Sequence, residues 1–143
     1  MHWVSALLLF IQIPLGFYLV DLDFGPETLS IENIHIVIGL SIFYLVILRL
    51  INNIINPTPK LEPSVFKGQR FLAKLNHVLL YVTILSVTIS GILKKLFNGE
   101  TLIIVFKKIR LKDNFELSEL FYDIHVFSNY LIIILIVIHT LAV

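Results

Sequence analysis

The residues of this chain that could do chemistry are five histidines, His2, His35, His77, His125 and His139, all within or beside apolar runs. His125 and His139 stand fourteen residues apart in a closing stretch that is otherwise almost wholly apolar. At about 1.5 Å rise per residue, that separation spans roughly 21 Å along a helix. At about 100° per residue the two rings return to within roughly 40° of one face. A bilayer's hydrocarbon core is about 30 Å thick, so each imidazole would lie just inside one of its boundaries. Ionisable side chains at that depth are costly and mark functional sites. Two stacked haem irons, one per leaflet, account for the spacing directly. Zinc suits it less, because no acidic or sulfur ligand lies at membrane depth to complete a tetrahedral site.

The elements that position these rings follow from composition. Of 143 residues, 57% are hydrophobic and 15% charged, and the mean hydropathy is +0.92. A soluble domain is nearer half apolar and about a quarter charged. The chain is therefore read as an all-α membrane protein, a four-transmembrane-helix bundle forming one membrane domain over residues 1–143, with spans at about 2–20, 33–50, 72–95 and 120–143. A signal peptide is the rival reading of the first span, but the basic lead and small-residue cleavage site are missing. With a net charge of +1 and no basic stretch interleaved with aromatics, nucleic acid is not an expected partner. The chain has no cysteine, which removes disulfides, Cys-ligated zinc, iron–sulfur clusters and a thiol nucleophile. Redox chemistry must then rest on a cofactor with other ligands, and no catalytic triad is visible.

Between the first two spans, Asp21–Glu32 reads as a short acidic loop with a turn at Gly25-Pro26 and Ser30 as the N-cap of the second helix. The next connection carries Pro57, Pro59 and Pro63. The longest connection, residues 96–119, contains the apolar, β-rich Leu102–Phe106, too short to span and read as an extended or interfacial segment. Asp21–Glu32 has no basic residue, whereas Arg49–Lys74 has five, which places both termini in the cytoplasm. The third connection is then outside, although it holds Lys94, Lys95, Lys107, Lys108, Arg110 and Lys112.

In that orientation His35 and His125 form one natural outer pair. On the inner side His139 has two candidate partners, His2 and His77. Gly39, one turn after His35, would leave room for a porphyrin on the helix or for a neighbouring helix. Arg49, at the inner boundary, could pair with haem propionates or reach lipid phosphate. His77 and Tyr81 share a face four residues apart and could hold a quinone head group.

The pattern of His2-Trp3, His35-x3-Gly39 with Arg49, Asn76-His77-Val78-Leu79-Leu80-Tyr81 with Ser90-Gly91, and His125 with His139 resembles the bacterial cytochrome b561 family, relatives of the cytochrome b subunits of nickel–iron hydrogenases. The resemblance covers essentially the whole chain, though the chain looks shortened at both ends beside typical members. It implies two b haems in the bacterial inner membrane, with His2 and His139 as inner axial ligands, His35 and His125 as outer ones, and His77 left for quinone. It also implies electron transfer between an outer-face donor, superoxide among them, and the quinone pool, so the chain could be a quinone-linked oxidoreductase. The alternatives are a membrane anchor subunit of a dehydrogenase or hydrogenase, or a degenerate remnant that binds little haem. Expected partners are membrane lipid, quinone, and either a second copy of the chain or a redox partner protein.

Overall fold

The computed structural model describes residues 2–56, 67–104 and 106–141. The chain divides into two units, residues 1–59 and 60–143. Each unit is built on a pair of helices.

The first unit holds α1 (His2–Asp21) and α2 (Pro26–Ile55). The link between them is only residues 22–25, so the helices run antiparallel and their side chains meet in reversed order. Apolar residues surround α1 on every side, as expected of a segment whose solvent is lipid. Pro14 sits inside α1, where lost backbone hydrogen bonds are tolerated when neighbours compensate. Where the sequence suggested a helix start near residue 33 capped by Ser30, α2 begins seven residues earlier, at Pro26. Gly25 is its extended N-cap and Pro26 takes the first helical position, where a missing N–H costs nothing. Glu27 in the first turn suits the positive end of the helix dipole. Ser30 is inside the helix, its hydroxyl donating back to the Pro26 carbonyl at 3.0 Å. The acidic stretch taken for a loop is thus largely the first two turns of α2.

The second unit holds α3 (Lys67–Phe97), the strands β1 (Leu102–Ile104) and β2 (Lys107–Ile109), and α4 (Phe115–Leu141). The proline-bearing stretch 57–66 lies outside the described residues. In the hairpin, Leu102 pairs with Ile109, Ile103 with Lys108 and Ile104 with Lys107, antiparallel. The apolar segment expected to be extended is therefore β1, and its partner strand is the basic run that follows. The contact of α3 with α4 is lined by small polar residues: Thr83, Ser90, Ser118 and Ser128 are all buried. Between helices in lipid the hydrophobic effect gives no net drive, so close packing and hydrogen bonds take over. Ser86 and Ser128 hydroxyls bond across the helices at 2.8 Å, and Ser118 Oγ donates to the Lys94 carbonyl at 3.1 Å. The Phe97 and Phe121 rings stack with centroids 5.6 Å apart. Asn114 starts α4: its Oδ1 accepts from Leu117 N at 3.1 Å while its own N–H donates to Phe97 O at 2.8 Å, tying that start to the end of α3.

All four helices are long and apolar enough to cross a membrane. At 30, 31 and 27 residues, α2, α3 and α4 exceed the roughly 20 needed to span, so they have turns to spare beyond the hydrocarbon.

Candidate functional site

In the first unit two pairs of residues, each spaced one turn apart, cross one another. Gln12 and Gly16 of α1 face His35 and Gly39 of α2. A Cβ on Gly16 would lie 3.1 Å from His35 Cε1, and one on Gly39 would lie 3.2 Å from Gln12 Nε2. Gly16 therefore makes room for the His35 ring. Gly39 makes room for Gln12, which is the helix-packing reading of that glycine. Gln12 Nε2 donates to the His35 backbone carbonyl at 2.9 Å, fixing that turn of α2 against α1. At the other end of the pair, Arg49 Nη1 lies 3.0 Å from His2 Nδ1. A guanidinium only donates, so in this contact Nδ1 accepts and a neutral His2 carries its proton on Nε2.

The second unit places His125 differently. Its Nδ1 lies 2.7 Å from the carbonyl oxygen of Val87. A carbonyl only accepts, so in a neutral ring Nδ1 carries the proton and Nε2 is the nitrogen with the ligating lone pair. A hydrogen bond from the other ring nitrogen to a carbonyl is the usual way a protein orients a metal-binding imidazole. Gly91, one turn after Val87, makes the approach feasible: a Cβ there would sit 3.0 Å from both Cε1 and Nδ1 of His125. Ser90 Oγ also donates to Val87 O, at 3.1 Å, so this carbonyl is a shared acceptor at the helix contact. Further along α4, the His139 ring meets the His77 ring edge-on with centroids 5.2 Å apart. Tyr81 is half-buried one turn beyond His77. A cleft of about 390 Å³ between α3 and α4 is lined by Val82, Thr83, Ser86, Asp123, Phe127 and Ser128 among others, with no histidine in its lining.

At His125 the tautomer suits a haem-iron ligand, because Nε2 is the lone-pair nitrogen. At His35 the structure shows a ring accommodated against α1 by Gly16. At His2 the fit requires Arg49 to release Nδ1, because ligation through Nε2 needs the proton on the other nitrogen. The structure thus brings together His2 with Arg49 and His77 with His139. Sequence reasoning passed over Gln12, Ser86, Ser128 and the Val87 carbonyl, and took Gly16, with Pro14, for a bend in the first helix. Gln12 had a legible signal, as the one amide in the first apolar run. A backbone carbonyl has none.

A family model described as prokaryotic cytochrome b561 matches residues 1–143. Cytochrome b561 homolog 2 of Escherichia coli (strain K12) is 27% identical over 100 residues, covering 69% of this chain and 53% of that protein. The chain spans about half the length of this curated relative. No solved structure matches it. The chain belongs to the prokaryotic cytochrome b561 family.

Proposed function

We propose that the chain is a di-haem cytochrome of the bacterial inner membrane, with both termini cytoplasmic, carrying electrons between an outer-face donor and the quinone pool. His35 and His125 are the outer axial ligands and His2 and His139 the inner ones. The observation that carries the reading is the His125 geometry, an imidazole whose Nδ1–H donates to a backbone carbonyl at 2.7 Å, so that Nε2 is the nitrogen bearing the lone pair a haem iron would take. The haem supplies reversible one-electron transfer; the chain supplies ligands, a dry setting and a tuned potential. Arg49 is assigned to an inner propionate, an exchange that also frees His2 Nδ1 to be protonated. His77 and Tyr81 are assigned to the quinone head group as hydrogen-bonding and proton-passing groups.

Superoxide is the outer donor this reading favours. Each superoxide gives up one electron and leaves as dioxygen, and two such electrons with two protons reduce quinone to quinol. Cations of the α3–α4 connection would draw the anion in. Lys95 is not among them: it is buried and paired with Glu100. Lys107, Lys108, Arg110 and Lys112 are exposed.

The test is a reduced-minus-oxidised spectrum with haem quantitation on the purified protein, repeated with His2 or His77 replaced. Two haems per chain are expected, falling to one with His2 changed and staying at two with His77 changed. No haem would end the reading. A superoxide oxidation rate indifferent to ionic strength would remove superoxide as the donor.

A further inference from the structure

The β1–β2 hairpin carries features that neither folding nor the haem and quinone assignments require. Phe106, at its tip, has a φ of 64° and is 97% exposed. A bulky residue in the left-handed region carries a steric penalty that Gly or Asn avoids, and a hairpin chosen for its turn alone would carry one of those. The cross-strand register sorts the remaining side chains. Leu102 and Ile104 share one face with their partners Ile109 and Lys107, Leu102 being buried and Lys107 exposed, while Ile103 and Lys108 share the other, with Ile103 60% exposed. Lys107, Lys108, Arg110 and Lys112 are all exposed around the apolar tip.

The place of the hairpin restricts what can meet it. It leaves α3 only four residues after Phe97, and its root is held by the Lys95–Glu100 ion pair and by the buried Leu102. Strands of three residues reach roughly 10 Å at about 3.3 Å per residue. A headgroup layer is roughly 5–8 Å deep on each side of the hydrocarbon core. Because α3 and α4 both have the length and apolarity of spans, the hairpin between them stays in or beside that layer.

We propose that the β1–β2 hairpin is a lipid-headgroup anchor, with Phe106 and Ile103 entering the interface and Lys107, Lys108, Arg110 and Lys112 holding anionic lipid phosphates. Apolar tip and cationic collar match the two layers an anionic leaflet presents in the same order, acyl boundary and then phosphate. The anchor depends only on the two spans beside it, so it stands apart from the haem and quinone assignments.

The absence of cysteine from the chain makes the test clean. A nitroxide label on Phe106→Cys, and separately on Ile103→Cys, reports depth in the full-length protein through its relaxation by oxygen and by a water-soluble nickel chelate. The protein is reconstituted into vesicles of phosphatidylcholine, with and without phosphatidylglycerol. Both labels are expected to favour oxygen over nickel, more strongly with phosphatidylglycerol present. Lys107→Glu with Lys108→Glu on the labelled chain is expected to return them towards water, by roughly fivefold in partitioning per cation lost. Equal exposure to nickel in both lipids overturns the proposal. So does a label immobilised equally in lipid-free detergent, which would assign the hairpin to a protein contact instead.

Discussion

Gly91→Ala is expected to strip the haem held by His125 while leaving the fold in place. The new Cβ would lie 3.0 Å from both Cε1 and Nδ1 of His125, whereas ordinary contact starts at 3.4 Å, so the ring must retreat by about 0.4 Å. The ring cannot retreat freely, because the same nitrogen is bonded to Val87 O at 2.7 Å, one turn back on the helix that carries the new methyl. Overpacking of this kind costs about 1–3 kcal/mol. If that cost falls on the ligating geometry, haem affinity at this site drops roughly 5- to 150-fold, since each 1.4 kcal/mol is tenfold. Two companion variants grade the effect. Gly16→Ala meets His35 through Cε1 alone at 3.1 Å, with Nδ1 at 3.8 Å, and should weaken the outer haem less. Gly25→Ala, whose nearest neighbour is a backbone oxygen at 4.0 Å and whose φ is extended, should change nothing. Haem per chain and its titration midpoint, measured on all three, check the order. Unchanged haem content in Gly91→Ala, or equal losses across the series, would refute the claim that these glycines exist to admit imidazoles.

Other consequences follow from single contacts. Ser86→Ala or Ser128→Ala leaves one hydroxyl without its cross-helix partner, and each should destabilise the α3–α4 pair; the double variant should cost less than the sum, with a coupling of about 0.6 kcal/mol in a denaturant-unfolding cycle. For Glu100, burial raises the carboxyl pKa, but hydrogen bonds from Lys95 and Asn98 and the charges of Lys95 and Lys94 outweigh it and hold the group below its ordinary value. A depressed folded pKa means its contribution is present above the unfolded value of about 4.3 and is lost as pH falls through the lower folded one. Thermal stability should therefore fall with acid in that window by about 1 kcal/mol or less, Glu100 being partly exposed, and Glu100→Gln should flatten that part of the profile. Arg49→Gln should lower the midpoint potential of the inner haem and spare the outer one, because removing a nearby cation favours the oxidised iron; a potentiometric titration separates the two.

How far the sequence could be read depended on the length scale of the signal. Four spans were legible because each is an apolar run longer than a bilayer core requires. Their starts were not, because the extra turns at residues 26–32, 67–71 and 115–119 are polar and helical, and hydropathy sees only polarity. Ser30 shows the mechanism: a good capping residue in the wrong turn, overruled by Gly25-Pro26 just upstream. The histidines stood out by residue type and depth. Their surroundings did not, since the tautomer of His125 is set by a backbone carbonyl and the clearance for His35 by a glycine on another helix. The hairpin was half legible: β-rich Leu102–Ile104 announced a strand, whereas Lys107–Ile109 shows its pairing only in the register.

The four-residue link between α1 and α2 bears on how the protein is made. Residues 22–25 are too few to permit anything but an immediate reversal, so the two helices can enter the bilayer as one helical hairpin soon after Ile55 leaves the ribosome. Within that hairpin, contacts such as Tyr18 with Glu27 and His2 with Arg49 join α1 to α2 and can form as soon as both are made. Its spans are also more apolar than α3, with mean hydropathies of 2.0 and 2.4 against 1.7. The later pair instead depends on polar contacts between α3 and α4, including Ser86 with Ser128, which exist only once both helices are in place. Two of the five histidines, His2 and His35, thus belong to the helical hairpin that is made first.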